Sequence, residues 1–284
     1  MSLLIDSFSI YNGKFIEQNQ PLILPDNRAF RYGEGLFETL RRHNDAMPLF
    51  EYHWHRLTES LPLLYFELPV HFTADYLKEQ IQKLCKKNHH TRAARIRLTI
   101  FKGEGGIWET PTSSFNWLLQ SWVLPTDKPE LNINGLDVGV FESGRKSCDA
   151  FSHIKSNNYL LYTLAAQYAK SQHWNEAIVL NQYGRICDTT IANIFFIKNQ
   201  RIHTPALSEG CVKGVMRTYL IEQLQNENIT IEEGAFTTEE LLNADEIFLT
   251  NAIQGIKWVK SLGNQTYSSR LTAQLFQQFI GRIF

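Results

Sequence analysis

A short polar segment divides the sequence into two halves, each with runs of hairpins and separate helices. Residues 125–130 contain two prolines and three charged residues in six positions, which is typical of a linker. We therefore expect a smaller N-terminal α/β domain at 1–124, a linker at 125–135 and a larger domain at 136–284. Hairpins mixed with separate helices predict an α+β fold, with a ligand most naturally between the two domains.

The first half predicts a small sheet with two helices. Asn12-Gly13 is a strong hairpin signal, and Asp26 to Glu34 contains turn residues that indicate a loop. A turn at 43–45 is expected to lead into Met47–Phe50. The predicted strands of this half are Leu3–Tyr11, Lys14–Glu17, Leu36–Arg42, Arg92–Phe101 and Asn116–Leu124. The predicted helices are Glu51–Leu64 and Ala74–Lys87.

The second half predicts further hairpins and four helices. Turns at Gln182-Tyr183-Gly184 and Asn199-Gln200 each separate two short apolar runs. The predicted strands are Asp137–Glu142, Ala177–Asn181, Arg185–Asp188, Ile191–Lys198, Arg201–Thr204 and Glu246–Thr250. The predicted helices are Asn157–Gln172, Lys213–Gln225, Thr237–Asn243 and Leu271–Ile280.

Composition excludes several classes of protein. The formal net charge of −1 over 284 residues gives no basic surface for nucleic acid or anionic membrane. No apolar run approaches the length of a membrane span and the start lacks a signal pattern, so a cytoplasmic location is expected. The four cysteines form no C-x-x-C pair, and His53 and His55 are spaced to point to different helix faces. We expect no metal site.

Two stretches in the second half carry residues with related chemistry. Lys155 is followed by Ser156, Asn157 and Asn158, which suit a helix start, so its amine is expected at the end of an element. Asp188 precedes a small-residue loop and an apolar strand. Pyridoxal phosphate needs a lysine amine that forms a Schiff base and a carboxylate that keeps its ring nitrogen protonated. Lys155 and Asp188 can supply both groups, although each could also be an ordinary solvated or turn residue.

These stretches resemble those of the fold-type IV pyridoxal-phosphate enzymes, a family that includes branched-chain aminotransferases, D-amino-acid aminotransferases and 4-amino-4-deoxychorismate lyases. Lys155 to Leu160 is similar to a family segment in which the lysine is followed by serine or alanine and then by Asn-Tyr-Leu. Asp188 to Phe195 is similar to the family pattern Glu-x-x-x-x-Asn-Ile/Leu-Phe, in which Asn193 is the matching asparagine. The resemblance implies a two-domain fold like that of D-amino-acid aminotransferase. It also implies pyridoxal 5'-phosphate in the cleft between domains, Lys155 as the catalytic lysine, and a homodimer.

Three further stretches resemble the phosphate-binding segments of that family. Residues 53–57 are similar to His-x-x-Arg-Leu, and a phosphate contact is implied for Arg56. Val215 and Met216 open a predicted helix, where backbone N–H groups and the helix dipole favour an anion. Thr250-Asn251-Ala252 resembles the third segment. Each stretch alone also fits ordinary surface or turn chemistry.

Asp188 departs from the family, which usually has glutamate at this position. Aspartate is one methylene shorter and reaches about 1.5 Å less, and a misplacement of about 1 Å can cost roughly a hundredfold in rate. We therefore expect a shifted main chain, an intervening water or a weaker electron sink. Tyr159, four residues after Lys155, either reaches the phenolic oxygen of the cofactor or packs in the core.

Substrate recognition is predicted on the strand that contains Arg95 and Arg97, which share one face, with Lys102 beyond them. These cations suit a dicarboxylate amine substrate, although an exposed sheet face explains Arg95 equally well. The Arg-x-His pair of D-amino-acid aminotransferases is absent from Gly103–Trp108, and Arg95 replaces a tyrosine of the branched-chain enzymes. The resemblance thus favours a lyase that forms 4-aminobenzoate and pyruvate from 4-amino-4-deoxychorismate in folate biosynthesis. The alternatives are an aminotransferase for branched-chain or D-amino acids with 2-oxoglutarate, and a non-catalytic pyridoxal-phosphate-binding homologue.

Overall fold

The computed structural model describes residues 7–284, and the chain divides into two compact units. The first unit comprises the residues up to Lys128 together with Lys155–Asn158, and the second comprises Pro129–Ile154 and Tyr159–Phe284. The four residues that include Lys155 therefore pack with the first unit, which chain order alone does not indicate. The domain boundaries expected at 124 and 136 stay a prediction, as does the position of the cofactor.

The first unit contains a five-stranded antiparallel sheet in the order β2-β1-β5-β4-β3. Its elements are β1 Phe8–Tyr11, β2 Lys14–Glu17, α1 Arg28–Tyr32, β3 Gly35–His43, α2 Phe50–Leu63, α3 Ala74–Lys87, β4 Ala93–Phe101 and β5 Asn116–Val123. Apolar and polar residues alternate along β4, and Ile96, Leu98 and Ile100 on its apolar face are fully buried. Helix α3 begins where the Thr73 side chain accepts a hydrogen bond from the Tyr76 N–H and so caps the helix start.

The second unit contains a mixed sheet in which eight strands follow the order β11-β10-β9-β12-β13-β6-β7-β8 and β14 pairs with β13. Its strands are β6 Leu136–Lys146, β7 Glu176–Asn181, β8 Ile186–Thr189, β9 Asn193–Lys198, β10 Arg201–Pro205, β11 Ile231–Gly234, β12 Glu246–Asn251, β13 Gly255–Leu262 and β14 Gln265–Thr266. Its helices are α4 Leu160–Ser171, α5 Val215–Asn226, α6 Thr238–Leu242 and α7 Arg270–Leu275, which continues as a π-helical turn at Phe276–Ile280. Together with the first unit this confirms the α+β class.

Several local predictions were wrong. The loop expected at Asp26 to Glu34 contains α1, because Asn27 accepts hydrogen bonds from two N–H groups of the first turn and Gly33 ends the helix in the left-handed conformation. Met47–Phe50 forms no strand, since Leu49 has a φ of 62° and Phe50 begins α2. Three strands, β11, β13 and β14, were not expected. The first residues of the predicted strand Leu3–Tyr11 lie outside the described part of the chain.

Helix and strand ends also differ from the sequence pattern. Helix α4 begins at Leu160 and not at Asn157, and β6 continues to Lys146, four residues beyond the predicted end at Glu142. The longer β6 brings Lys146 into the second unit's candidate site. Within residues 7–284, no helix is both long enough and apolar enough to cross a membrane.

Candidate active site

Lys155 is attached by main-chain hydrogen bonds to the outer edge of β3. The Lys155 carbonyl accepts from the Phe37 N–H at 2.9 Å, the Asn157 N–H donates to the Gly35 carbonyl at 2.9 Å, and Ser156 bridges to Leu36. A Cβ at Gly35 would lie 2.4 Å from Asn157 Nδ2 and 2.6 Å from the Ile100 carbonyl oxygen. Only glycine fits there, so β3 is shaped to receive this segment.

Phe37 is the aromatic residue that two cations of the first unit share. Lys155 Nζ lies 4.5 Å from the centre of its ring, and the Arg97 guanidinium carbon lies 3.8 Å from it. Arg97 Nε also donates to Thr99 Oγ1 at 3.3 Å. The predicted catalytic amine and one predicted substrate cation therefore lie at one aromatic ring, where cation–π attraction holds both.

Arg95 and Lys102 have other surroundings. Arg95 is exposed and its guanidinium lies 4.5 Å from the Trp122 ring, which fits the alternative that it covers an open sheet face. Lys102 is buried, and its Nζ lies 2.7 Å from Glu34 Oε1. Burial raises the pKa of Glu34, but its hydrogen bonds and ion pairs with Lys102 and Arg28 outweigh this and lower it. The substrate roles of Arg95 and Lys102 stay predictions.

Arg56 lies in a buried network with Glu38 and His53. Arg56 Nε donates to Glu38 Oε1 at 2.8 Å and Nη2 donates to Oε2 at 2.5 Å, while His53 Nδ1 lies 2.6 Å from Oε2. Burial alone would raise the pKa of Glu38, but the charges of Arg56 and His53 lower it to about 2. Burial lowers the pKa of His53, although the charge of Glu38 and its hydrogen bond act in the opposite direction. Glu38 thus fixes the guanidinium for which a phosphate contact was predicted.

His53 and His55 were predicted to point to different faces of a helix. The Nε2 of His53 is buried and has no hydrogen-bond partner among residues 7–284. His55 is directed away, since its side chain is largely exposed and its Nδ1 lies 3.3 Å from Glu59. The two imidazoles therefore lie in different environments, as their spacing indicates.

Asp188, at the end of β8, is buried and accepts four hydrogen bonds from nitrogen and oxygen donors, and the Cys187 thiol lies 4.0 Å from its Oδ2. Asn193 Nδ2 donates to Oδ1 at 2.8 Å. Oδ2 accepts from the Tyr162 hydroxyl at 2.8 Å, the Val212 N–H at 2.9 Å and Lys146 Nζ at 3.2 Å. These donors fix the carboxylate in one orientation.

The aromatic side chains of α4 support this arrangement. Burial and the charge of Asp188 raise the pKa of Tyr162 well above its usual value, so its hydroxyl keeps the proton that it donates. Tyr159, one helical turn earlier, packs with its ring centre 4.5 Å from that of Tyr162. Its hydroxyl donates to the Thr190 carbonyl at 3.2 Å. The main-chain loop after Asp188 is thereby held.

A buried acid lies beneath the same loop. Glu176 accepts hydrogen bonds from Thr189 Oγ1 at 2.6 Å, from Thr190 Oγ1, and from the Ile191 N–H at 3.3 Å. Burial raises its pKa, although these hydrogen bonds act in the opposite direction. Glu176 therefore organises the small-residue turn between β8 and β9.

The second unit also has the elements of an anion site. Helix α5 begins at Val215 without a side-chain cap on its first turn, so N–H groups of Val215 and Met216 are directed as for a bound anion. A Cβ at Gly214 would lie 1.8 Å from Asn193 Oδ1. Thr250 pairs with Asn193 across β12 and β9, and its buried Oγ1 has no partner among residues 7–284. An unpaired buried hydroxyl and an uncapped helix start fit a phosphate.

Asn251 and Ala252 follow Thr250 in the turn between β12 and β13. Asn251 Oδ1 accepts from the Ile253 N–H at 3.0 Å and the Gln254 N–H at 2.8 Å. The side chain of Asn251 therefore stabilises the turn itself, and any contact with an anion falls to the main chain of these two residues. Their predicted role stays a prediction.

Sequence reasoning missed four residues of these two groups: Phe37, Glu38, Lys146 and Tyr162. Glu38 carried a signal, since it shares a strand face with the buried Leu36 and Leu40 and a buried acid requires a cation. Tyr162 carried one as well, since it follows Tyr159 by three residues and so shares its helix face. Lys146 carried none, because only the unexpected length of β6 places it at Asp188.

Comparison with known proteins identifies a family for most of the sequence. Residues 35–262 match the family described as amino-transferase class IV. The aminodeoxychorismate lyase of Bacillus subtilis is 28% identical over 91% of this chain and 88% of its own length. The D-alanine aminotransferase of Bacillus licheniformis is 26% identical over 92% and 90%.

A solved structure shares the fold. The branched-chain amino acid aminotransferase of Escherichia coli superposes with a TM-score of 0.85 at 23% identity, over 98% of this chain and 94% of the other. At that identity the likeness concerns the fold alone. The family match spans most of the sequence and confirms the resemblance inferred from Lys155 and Asp188. The chain therefore belongs to the amino-transferase class IV family of enzymes.

Proposed function

We propose that this chain is a pyridoxal-phosphate-dependent lyase that converts 4-amino-4-deoxychorismate to 4-aminobenzoate and pyruvate. The observation that carries the proposal is the shared aromatic ring of Phe37, with Lys155 Nζ at 4.5 Å and Arg97 at 3.8 Å. A guanidinium beside the predicted catalytic amine suits a substrate with carboxylates. The lyase of Bacillus subtilis, 28% identical, supports the same activity.

Each of the two units offers groups that suit pyridoxal 5'-phosphate. In the first unit, Lys155 would supply the amine for the Schiff base and Arg56 a cation for the phosphate. In the second unit, Asp188 would supply the carboxylate for the ring nitrogen, and Thr250 Oγ1 with the N–H groups of Val215 and Met216 would supply phosphate donors. When bound, this cofactor withdraws electrons from the substrate carbon at which a bond to hydrogen breaks.

In the proposed reaction Lys155 moves one proton. Its Nζ removes the proton from the ring carbon that bears the amino group and returns a proton to the departing three-carbon fragment. The carbon–oxygen bond on the neighbouring ring carbon breaks, and the ring becomes aromatic. All atoms of the substrate are found in 4-aminobenzoate and pyruvate, so no amino acceptor is consumed.

An aminotransferase for D- or branched-chain amino acids is the second candidate. The D-alanine aminotransferase of Bacillus licheniformis is nearly as similar to this chain as the lyase, at 26% identity. Such an enzyme needs an oxo acid such as 2-oxoglutarate as amino acceptor, which the lyase does not. The requirement for an acceptor therefore separates the two activities.

The test combines cofactor-loaded protein with fresh 4-amino-4-deoxychorismate, without oxo acid, and follows 4-aminobenzoate. Turnover in the wild type and in Lys170→Ala, an exposed lysine of α4, with loss in Lys155→Ala, is the expected result. Conversion of the cofactor to its amine form by an amino acid, without 4-aminobenzoate, would instead establish an aminotransferase. Bound cofactor that reacts with no amine would establish a non-catalytic homologue.

The homodimer and the cytoplasmic location inferred from the sequence stay predictions. Both rest on the family resemblance and composition. Light scattering of the purified protein checks the first, with about twice the mass of the 32.9 kDa chain expected.

A further inference from the structure

A second lysine, Lys146, lies at the acid predicted to hold the cofactor ring nitrogen. Its side chain is 11% exposed, and its Nζ lies 3.2 Å from Asp188 Oδ2. The same Nζ lies 2.5 Å from the Tyr162 hydroxyl. Tyr162 in turn donates to Asp188 at 2.8 Å. Lys146, Tyr162 and Asp188 therefore form a closed triangle of hydrogen bonds.

The triangle places its donors on one carboxylate oxygen. Oδ2 accepts from Lys146, Tyr162 and the Val212 N–H, whereas Oδ1 accepts only from Asn193 within residues 7–284. Each carboxylate oxygen offers about two lone-pair positions, so Oδ2 is fully occupied and Oδ1 keeps about one position for another donor. A cation at hydrogen-bond distance also neutralises much of the carboxylate charge in a buried setting.

We propose that Lys146 is a positioning residue that orients Asp188 and weakens the support which that carboxylate gives to a proton on the cofactor ring nitrogen. Tyr162 holds the Lys146 ammonium in place. The inference rests on the proposed cofactor site. Two features would then weaken the electron sink. One is the shorter side chain of aspartate, and the other is the partial neutralisation of its charge by Lys146.

A partly neutralised Asp188 suits the proposed lyase reaction. In an elimination that produces an aromatic ring, aromaticity itself drives the collapse of the negative charge that forms on the substrate. A transamination lacks that contribution and depends more strongly on a protonated ring. An acid partly neutralised by Lys146 is therefore adequate for a lyase and slows the competing transamination.

The decisive measurement is the nitrogen-15 chemical shift of the cofactor ring nitrogen, in protein loaded with ring-labelled pyridoxal phosphate. Lys146→Met should move the signal toward the protonated pyridinium, since removal of an opposite charge at this distance shifts a proton equilibrium by about tenfold or more. Lys146→Arg, which keeps the charge, and Lys170→Met, which removes an exposed charge, should both stay near the wild-type position. An unchanged signal in Lys146→Met would overturn the inference.

Tyr162→Phe provides a second variant if Lys146→Met does not fold. It removes a donor from Asp188 and the hydroxyl that holds Lys146, so its signal should move in the same direction. A signal at the wild-type position in this variant would contradict the proposal.

A product measurement complements the spectrum. Lys146→Met should raise the amount of amine-form cofactor per 4-aminobenzoate by severalfold, and an unchanged ratio would count against the inference. Absence of bound cofactor in the wild type would defeat the proposed function and this inference together. Bound cofactor with an unchanged spectrum in both variants would defeat this inference alone.

Discussion

Lys155 and Phe37 are joined twice, by a hydrogen bond from the Phe37 N–H to the Lys155 carbonyl and by the side-chain amine, which lies 4.5 Å from the aromatic ring. The main-chain bond fixes the position of the lysine segment. The ring provides an apolar surface with a negative face. Phe37 therefore restrains the Lys155 amine although it carries no charge itself.

Substitution of Phe37 tests this placement. Phe37→Leu removes the ring from both Lys155 and Arg97, and we expect kcat/KM for the lyase reaction to fall about tenfold, since cation–π contacts of this kind contribute about 0.5–2 kcal/mol. Phe15→Leu, a change of the same type at an exposed position of β2, is the control. Steady-state kinetics check the effect, and equal values for the two variants would contradict it.

Thr250 allows cofactor binding to be separated from stability. Because its buried hydroxyl lacks a partner among residues 7–284, Thr250→Val should leave the apoprotein at least as stable as the wild type. The Kd for pyridoxal phosphate should rise about tenfold or more, as a hydrogen bond to a charged phosphate is lost.

Thr204→Val is the matched control for that experiment. Thr204 is equally buried, but its Oγ1 donates to the Ile194 carbonyl at 2.8 Å. Its replacement should destabilise the apoprotein by about 1 kcal/mol and leave the Kd unchanged. Thermal melts and cofactor titration distinguish the two, and a Thr250→Val protein with weaker folding and normal affinity would refute the anion site.

Glu38 predicts how stability depends on pH. Its pKa in the folded protein is about 2, below the ordinary 4.5, so the folded state binds this proton less readily than the unfolded state. The stabilisation is fully present above about pH 4.5 and is lost as the pH falls toward 2. A pKa difference of that size contributes about 3 kcal/mol to the free energy of unfolding at neutral pH.

Glu38→Gln should therefore lower the melting temperature strongly at pH 7, and its deficit relative to the wild type should shrink steadily between pH 5 and 3. Glu67→Gln, at an exposed acid, should show neither effect. Melting curves across this pH range provide the check. A deficit that stays constant with pH would mean that the charge of Glu38 is not its source.

A substitution at Gly214 tests whether the start of α5 and Asp188 are coupled through Asn193. Gly214→Ala would place a methyl group 1.8 Å from Asn193 Oδ1, while Asn193 Nδ2 is held by Asp188 and the Val212 carbonyl at 2.8 Å each. We expect lower stability and weaker cofactor binding. Gly281→Ala, whose methyl would lie 3.1 Å from the Gln277 carbonyl oxygen, should change cofactor binding little. Cofactor titration compares the two variants.

The sequence predicted the elements whose periodicity reflects a buried face. Strand β4 alternates because one of its faces packs in the core, and α3 combines an apolar stripe with a threonine cap. Helix α1 was missed because five residues cannot show helical periodicity, and only its Asn27 cap and Gly33 end distinguish it from a turn. Strand β13 was missed because its buried positions do not alternate strictly and because one of its two partner strands, β6, is distant in sequence.

The candidate site follows the same division. Lys155 and Asp188 could be identified because their neighbours in sequence form a recognisable pattern. The partners of Glu38 and Lys146 could not, because they lie 18 and 42 residues away along the chain and no local spacing encodes such pairs. The charged partners of Arg56 and Asp188 are therefore seen only in the folded protein.

The attachment of residues 155–158 to β3 also concerns the solubility of the protein. β3 is the last strand of the five-stranded sheet, and a bare edge of this kind is a template for pairing with another molecule. The lysine segment occupies that edge through Phe37, Gly35 and Leu36. The segment that carries the proposed chemistry thus also covers the first three residues of this edge strand, so a substitution that detaches it would expose unpaired backbone groups to aggregation as well as inactivate the protein.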